Sequence, residues 1–250
     1  MTAWPSDWRD LRIAVLDVET TGFDAVEERI IEVGIVTFER GEIVERWGAF
    51  VNPGKTIPDA VIKLTGITDE MVASAPPFEE VAGEVSERLT GVGISAYNLS
   101  FDRSFVRAEL GRAGYAWPDD APCLDPLVFV RQFHKEHASK KLGAVAERLG
   151  VSLEQAHRAV DDAEAAGRVL YALADDLPDS LEELLILQAQ WERLQEREMA
   201  AWRGGRRGDR DLVLQGSVAS QSVGLGPAYL YGDDLDPLRA LYLSVPDLQR

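Results

Sequence analysis

The sequence predicts an α/β fold, a mixed β-sheet flanked by helices, and three observations support this class. Residues 30–38 and 43–51 are apolar or alternating runs on either side of segment 39–42, which is the pattern of a β-hairpin. With the apolar strand that ends at Asp17, they predict three adjacent antiparallel strands. Residues 92–97 form a short apolar run between two helical patterns, and such βα alternation is typical of a sheet with helices on its faces.

Helices are predicted where apolar residues recur at three- and four-residue spacing, because that spacing places them on one helical face. Asp125, directly before one of these segments, has the character of an N-cap residue. We expect the helices to cover the sheet. The five segments with this periodicity are residues 78–89, 101–110, 126–133, 142–149 and 160–173.

The C-terminal part of the chain is organised differently, and we place a domain division between residues 1–178 and residues 179–250. Ser180 begins a capping-box pattern, which predicts a long amphipathic helix that runs to about Trp202. This helix can pack back onto the first domain or contact a dimer mate or partner protein, and the sequence leaves both open. Its apolar residues at heptad positions are Leu184, Leu187, Trp191 and Leu194.

Two further segments follow this helix. Residues 203–208 are rich in glycine and arginine, which predicts a flexible basic link. Residues 224–250 contain tyrosines and leucines, and they are too apolar for pure disorder. We therefore expect this last segment to dock on a protein surface.

Length and composition are those of a soluble enzyme. The 250 residues suffice for a full core, and 46% hydrophobic residues exclude global disorder. The single cysteine, Cys123, rules out an intrachain disulfide and suits a reducing compartment. No apolar run approaches the ~20 residues that span a bilayer, and the N-terminal residues do not resemble a signal peptide. We therefore expect a cytoplasmic protein without membrane contact.

The strongest indication of function is the pair Asp17 and Glu19, directly after the apolar run 13–16. Side chains alternate in a strand, so residues two apart project from the same face. Two carboxylates brought together repel each other, and this is costly unless a positive group binds between them. Hard divalent cations prefer such oxygen ligands, so the pair predicts a metal site.

Two later segments each place a carboxylate near a predicted helix start. Asp102 belongs to the segment that begins at Asn98, and Asp162 to the segment that begins at His157. With Asp17 and Glu19 they make four carboxylates, whose formal charge two divalent ions would balance. His157 is the candidate general base, because an imidazole titrates near neutral pH.

These residues, in this order, resemble the DEDDh family of 3′-5′ exonucleases, also called DnaQ-like, which includes proofreading subunits of bacterial replicative polymerases. A further segment, residues 64–71, is similar to a family segment, and the resemblance covers residues 10–175. Asp161 lies beside Asp162, and the family pattern selects Asp162 as the ligand. The matching residues are Asp17, Glu19, Thr20, Thr21 and Gly22 in the first motif, Asn98, Phe101 and Asp102 in the second, and His157, Ala159 and Asp162 in the third.

The resemblance implies a ribonuclease-H-like fold and a two-metal-ion mechanism with Mg²⁺ or Mn²⁺. It implies that Asp17, Glu19, Asp102 and Asp162 hold the ions and that His157 deprotonates the attacking water. The expected reaction releases nucleoside 5′-monophosphates from single-stranded 3′ ends, of DNA in proofreading or repair, with RNA 3′-end trimming or an accessory role through the C-terminal region as alternatives. The residues expected to hold the terminal nucleotide are Thr20, Thr21, Gly22, Phe23, Leu64, Thr65, Asn98 and Phe101.

The net charge of −17 restricts how this chain can hold nucleic acid. Proteins that grip long duplexes through many phosphates present a broad basic surface. An acidic chain instead favours contact with a few nucleotides at a 3′ end, where metal ions neutralise phosphate locally. We therefore expect high processivity only with a partner, such as a polymerase or other replication or repair protein bound through residues 179–250.

Overall fold

The structure is a computed structural model that describes residues 4–153 and 156–213, with the backbone alone for residues 202–213. Its centre is a five-stranded mixed sheet with the strand order β3-β2-β1-β4-β5. The predicted α/β class is confirmed. The strands are β1 (Arg12–Thr20), β2 (Ile30–Glu39), β3 (Glu42–Phe50), β4 (Gly93–Ser95) and β5 (Cys123–Leu124).

The three antiparallel strands predicted from the N-terminal sequence are confirmed as β3-β2-β1. Arg40 and Gly41 close the β2–β3 hairpin with φ angles of 50° and 84°, and such positive values suit the right-handed twist of a two-residue turn. Strand β1 does not end at Asp17 as predicted but continues to Thr20. It continues because β2 pairs with it over this stretch, and Glu19 lies opposite Glu32.

The other side of the sheet is parallel, since β4 pairs with β1 and β5 pairs with β4. Strand β4 was predicted over residues 92–97 and is shorter, Gly93–Ser95. Strand β5 was not predicted, because two residues are too few for a period of two to show. The parallel arrangement brings the ends of β1, β4 and β5 to one edge of the sheet.

Eight α-helices accompany the sheet in the described part of the chain. All five helices predicted from periodicity are confirmed, with ends that differ by at most two residues. The two helices before them were not predicted, and the second of these has only four residues, too few to show a helical period. The helices are α1 (Asp59–Thr65), α2 (Asp69–Val72), α3 (Phe78–Leu89), α4 (Leu99–Arg112), α5 (Pro126–Phe133), α6 (Leu142–Arg148), α7 (Ala159–Ala172) and α8 (Leu181–Val213).

The sheet divides the hydrophobic core into two layers, and β1 contributes alternate residues to each. Ile13 and Val15 pack with α5, α6, α7 and α8 on one face. Leu16 and Val18 pack with α3 and α4 on the other face. Because side chains alternate along a strand, Asp17 belongs to the same face as Val15, which α7 covers.

Helix α8 begins where the sequence predicts, and the Ser180 hydroxyl accepts a hydrogen bond from the Glu183 N–H at 3.3 Å. Its buried stripe differs from the predicted heptad set. Gln188 is buried, whereas Leu194 is 52% exposed. A glutamine therefore faces the core on this helix, while one leucine of the predicted apolar stripe faces outward.

The prediction of a flexible link at residues 203–208 is wrong for the backbone, which continues α8 to Val213. Once a helix has begun, each further residue adds a hydrogen bond, and this outweighs a weak local propensity. The predicted docking segment 224–250 lies outside the described residues. Among the helices of the described part of the chain, none has the length and apolarity to cross a membrane.

Candidate active site

The candidate site lies on the sheet face that α7 covers, at the C-terminal end of β1. Gly34 of β2 lies directly opposite Asp17 and lets α7 approach. A Cβ atom at Gly34 would stand 2.4 Å from the Val160 nitrogen, a contact that side chains do not tolerate. The first turn of α7, which carries Asp162, therefore rests on the strand beside Asp17.

Asp102 reaches the site from the first turn of α4. Its side chain is buried, and its Oδ1 accepts a hydrogen bond from the Val18 N–H at 3.1 Å. Val18 separates Asp17 from Glu19 in β1. The bond therefore fixes the carboxylate of α4 to the strand between the two acidic residues of the first motif.

His157 and Asp162 are joined by the turn that leads into α7. The His157 N–H donates to Asp162 Oδ2 at 2.8 Å. His157 has a left-handed backbone with φ +64°, which is uncommon for a residue other than glycine and costs free energy. The possible ligand atoms of Glu19, His157 and Asp162 all lie within 4.8 Å of one another. These three predicted site residues are therefore brought together around one point.

Burial and mutual repulsion disfavour the ionised form of the carboxyl groups in this cluster. Burial raises the pKa of Asp17 well above its ordinary value, and Asp102, Asp162 and Glu19 add to the shift. Burial also raises the pKa of Asp102, against the hydrogen bond from Val18. It raises the pKa of Asp162 to about 7, although the His157 N–H partly opposes the shift. A bound cation would relieve this repulsion, and a set of carboxylate oxygens suits a hard divalent ion.

The segment after β1 forms a tight turn beside the carboxylates. The Thr20 hydroxyl donates to the Gly22 carbonyl at 2.6 Å, and the Thr21 hydroxyl donates to Glu28. A Cβ atom at Gly22 would stand 2.8 Å from Cγ of Glu28, so a larger residue would require the Glu28 side chain, which accepts the bond from Thr21, to move. Phe23 follows, and its ring lies 6.2 Å from the ring of Phe101 in α4. Phe23, directly after the first motif, and Phe101 of the second motif thus form an aromatic edge that a base can stack on.

Leu64 and Thr65 end helix α1, and the Thr65 hydroxyl is engaged locally, since it accepts from the Ile67 N–H at 3.0 Å. Arg158 connects this segment to the turn of the third motif. Its Nη1 donates to the carbonyl oxygens of Thr65 and of His157, each at 3.1 Å. The guanidinium therefore supports the strained backbone of His157.

Glu32 is an acidic residue near the site that sequence reasoning missed. It is buried, and its Oε2 accepts from the Ala159 N–H at 3.3 Å, at the start of α7. Burial raises its pKa, and the Arg158 guanidinium at 4.0 Å opposes that shift. A glutamate inside an otherwise apolar strand was the signal that could have found it, because unpaired charges are rarely buried.

Asp161 faces another region than Asp162. It lines a surface pocket together with Arg46, Glu164 and Arg168, on the outer side of α7. Asp162 instead is buried and carries the hydrogen bond from His157. The choice of Asp162 rather than Asp161 as the ligand stays a prediction.

Comparison with known proteins identifies the family of this chain. The family model RNase_T, described as an exonuclease, matches residues 14–170. The match covers more than half of the chain and includes all three motifs. The chain therefore belongs to this exonuclease family.

Individual relatives are similar over the same part of the chain. The 3′-5′ exonuclease DinG of Bacillus subtilis is 38% identical over 167 residues, which are 66% of this chain and 18% of that protein. A PolC-type DNA polymerase III of Bacillus cereus is 36% identical over 163 residues, 65% of this chain and 11% of that protein. The chain thus spans less than a fifth of the length of these relatives.

A solved structure shares the fold. The zinc-bound complex of E. coli exonuclease I with single-stranded DNA matches with a TM-score of 0.61 at 18% identity. The match covers 76% of this chain and 45% of that chain. It confirms the ribonuclease-H-like fold that the sequence resemblance implied.

Proposed function

We propose that this protein is a divalent-metal-dependent 3′-5′ exonuclease that releases nucleoside 5′-monophosphates from single-stranded 3′ ends of DNA. The observation that carries the proposal is the cluster of Glu19, His157 and Asp162, whose ligand atoms lie within 4.8 Å of one another. It adjoins two more carboxylates, Asp17 and Asp102, and belongs to a chain of the exonuclease family.

Asp17, Glu19, Asp102 and Asp162 are the residues that would hold the metal. Their oxygen donors and mutual repulsion suit Mg²⁺ or Mn²⁺, and their formal charge suits two such ions. When bound, divalent ions neutralise charge on the phosphodiester and make water more acidic. The protein contributes four carboxylates from β1, α4 and α7, of which Asp102 and Asp162 are held in place by backbone N–H groups.

His157 would act as the general base. Its side chain is exposed, so water and substrate reach it, while its backbone is fixed by Asp162 and Arg158. A neutral imidazole at this position accepts a proton from the attacking water. The proton then leaves to solvent from the exposed ring.

The terminal nucleotide would lie along the edge formed by Thr20, Phe23, Asn98 and Phe101, with Thr21, Gly22, Leu64 and Thr65 shaping its borders. The Phe23–Phe101 pair offers a surface for a base. The net charge of −17 supports contact with a short single-stranded end rather than a long duplex. The similarity to polymerase-associated exonuclease regions supports DNA as the substrate.

Two wider assignments also belong to the proposal. A polymerase or another replication or repair protein would bind through residues 179–250, because an acidic nuclease needs a partner for processivity. The protein would act in the cytoplasm, which the single cysteine favours.

Digestion of matched substrates tests the proposal. We would incubate the full chain with Mg²⁺ and equal concentrations of single-stranded DNA, RNA of the same sequence, and a primer with a mispaired 3′ end. Asp17→Asn serves as the inactive control. We expect fast digestion of the DNA and of the mispaired end. Preferential digestion of RNA would overturn the DNA assignment. If none of the three substrates were digested, the exonuclease activity itself would be refuted.

A further inference from the structure

A buried carboxylate outside the metal cluster holds the start of α4 in place. Asp125, at the junction of β5 and α5, accepts hydrogen bonds from the Asn98, Leu99 and Leu127 N–H groups, each at 3.0 Å. The N-cap predicted from sequence is the bond to Leu127, at the start of its own helix α5. The other two bonds cross to α4. A single side chain therefore caps two helices at once.

The bond to Asn98 restrains a left-handed backbone conformation. Asn98 has φ +76°, and no side-chain hydrogen bond caps α4 from this residue. Asparagine adopts this region more readily than most residues, and the bond from its N–H to Asp125 holds it there. Asn98 leads directly into the turn of α4 that carries Phe101 and Asp102, so a shift at this point would move residues proposed to hold the nucleotide.

The C-terminal helix in turn supports Asp125. Gln188 of α8 is buried, and its Oε1 accepts from the Asp125 N–H at 2.9 Å. Its Nε2 donates to the Cys123 carbonyl at 3.2 Å and to Glu192 at 3.0 Å. Because both ends of the amide are engaged, its orientation is fixed. Helix α8 is thus connected to Asn98 by two hydrogen bonds in series, one between Gln188 and Asp125 and one between Asp125 and Asn98.

We propose that Gln188 is a positioning residue for the nucleotide pocket, which acts through Asp125 on the backbone of Asn98. The C-terminal helix therefore contributes to the active site although none of its residues belongs to the three motifs. The proposal rests on the proposed exonuclease function. Its effect falls first on substrate placement, because Asn98 and Phe101 border the pocket. Asp102 on the same turn is held separately by the Val18 N–H at 3.1 Å, and His157 and Glu19 lie on other elements.

A matched pair of substitutions on one helix tests this proposal. Gln195 also lies on α8, and its Nε2 donates to the Val128 carbonyl at 3.0 Å, away from Asp125. Gln188→Met and Gln195→Met both remove amide hydrogen bonds and conserve volume. In the full chain with Mg²⁺, we expect Gln188→Met to raise KM for a short single-stranded oligonucleotide about fivefold, the equivalent of one hydrogen bond, with a smaller change in kcat. Gln195→Met should leave both constants unchanged.

Asp125→Asn supplies a second test if Gln188→Met does not fold. An asparagine has one acceptor oxygen for three donors, so the bond to Asn98 or Leu99 is lost and KM should rise while circular dichroism shows a folded protein. In the double variant, the KM should be no higher than in Asp125→Asn alone, because Gln188 acts through Asp125.

Equal KM values for Gln188→Met and Gln195→Met would overturn the proposal, as would additive effects in the double variant or an unchanged KM in Asp125→Asn. An inactive wild-type chain would instead refute the exonuclease function itself, so the two failures are distinguishable.

Discussion

Replacing Asp162 by asparagine should stabilise the protein in the absence of metal. The fold raises the pKa of this carboxyl from an ordinary value of 3.8 to about 7, chiefly by burial. Each pKa unit corresponds to 1.36 kcal/mol, so the ionised group costs at most about 4 kcal/mol at pH 8. Neighbouring carboxyls reduce this cost by taking up protons. We therefore expect the substitution to raise the free energy of unfolding by about 2 kcal/mol, which corresponds to a rise of roughly 4–8 °C in Tm.

The pH dependence follows from the sign of the shift. Because the folded-state pKa is raised, the fold favours the protonated carboxyl. The resulting stability is fully present below the ordinary pKa of 3.8 and is lost progressively as the pH rises to about 7. The advantage of Asp162→Asn in EDTA should therefore be largest at pH 8, roughly half as large at pH 5.5, and nearly absent only below pH ~4. Saturating Mg²⁺ should reverse it at pH 8, since the wild type gains the free energy of metal binding.

Thermal unfolding followed by circular dichroism would measure these differences. Asp161→Asn is the matched control. This residue also raises the pKa of Asp162, but it faces the pocket near Arg46, so its replacement should raise Tm clearly less than Asp162→Asn does. The reasoning would be refuted if Asp162→Asn lowered Tm in EDTA at pH 8, or if its effect were the same at both pH values.

Three other predictions concern the base, the core and the C-terminal helix. His157→Ala should keep its affinity for oligonucleotides and lose roughly 10²- to 10⁴-fold in kcat, and an alanine variant within a few-fold of wild type would remove this residue as the base. Leu184→Ala should lower the free energy of unfolding in urea by about 2–5 kcal/mol because Leu184 is fully buried, whereas Leu194→Ala, at a side chain 52% exposed, should change it little. A chain that ends at Ala201 should retain activity, and one that ends at Asp179 should unfold at a lower temperature, since it lacks Leu184; equal Tm values for the two would contradict this.

Much of the fold was predictable from sequence, because the decisive patterns are local. The β2–β3 hairpin was recognisable from two apolar runs around a short turn, and the five helices between residues 78 and 173 from their periodicity. Strand β5 and helix α2 contain only two and four residues, so neither shows a period. Their conformation depends on neighbours that are distant in sequence.

In the candidate site, too, local features were predictable from sequence and tertiary contacts were not. Asp17 and Glu19 stand on one strand face by local geometry alone, and the family motifs connect them to Asp102, His157 and Asp162. Supporting contacts were not predictable, because each depends on tertiary pairing. Glu32 meets the start of α7 only through the β1–β2 register.

Helix α8 gives a second example of this limit. Heptad periodicity selected Leu187 and Leu194 by their hydrophobicity. The structure buries Gln188 instead, which forms hydrogen bonds with the β5–α5 junction. The domain division after residue 178 stays a prediction, which the two truncated chains will test.

The most direct test of the central claim is the direction and product of digestion. A single-stranded DNA with a fluorescent 5′ label would be incubated with the full chain and Mg²⁺, beside the same strand with a blocked 3′ hydroxyl and beside Asp17→Asn. The proposed mechanism predicts a ladder of 5′-labelled strands that shorten one nucleotide at a time, with release of nucleoside 5′-monophosphates, and no digestion of the blocked strand or by the variant. Release of the label as a mononucleotide, equal digestion of the blocked strand, or full activity in excess EDTA would contradict it.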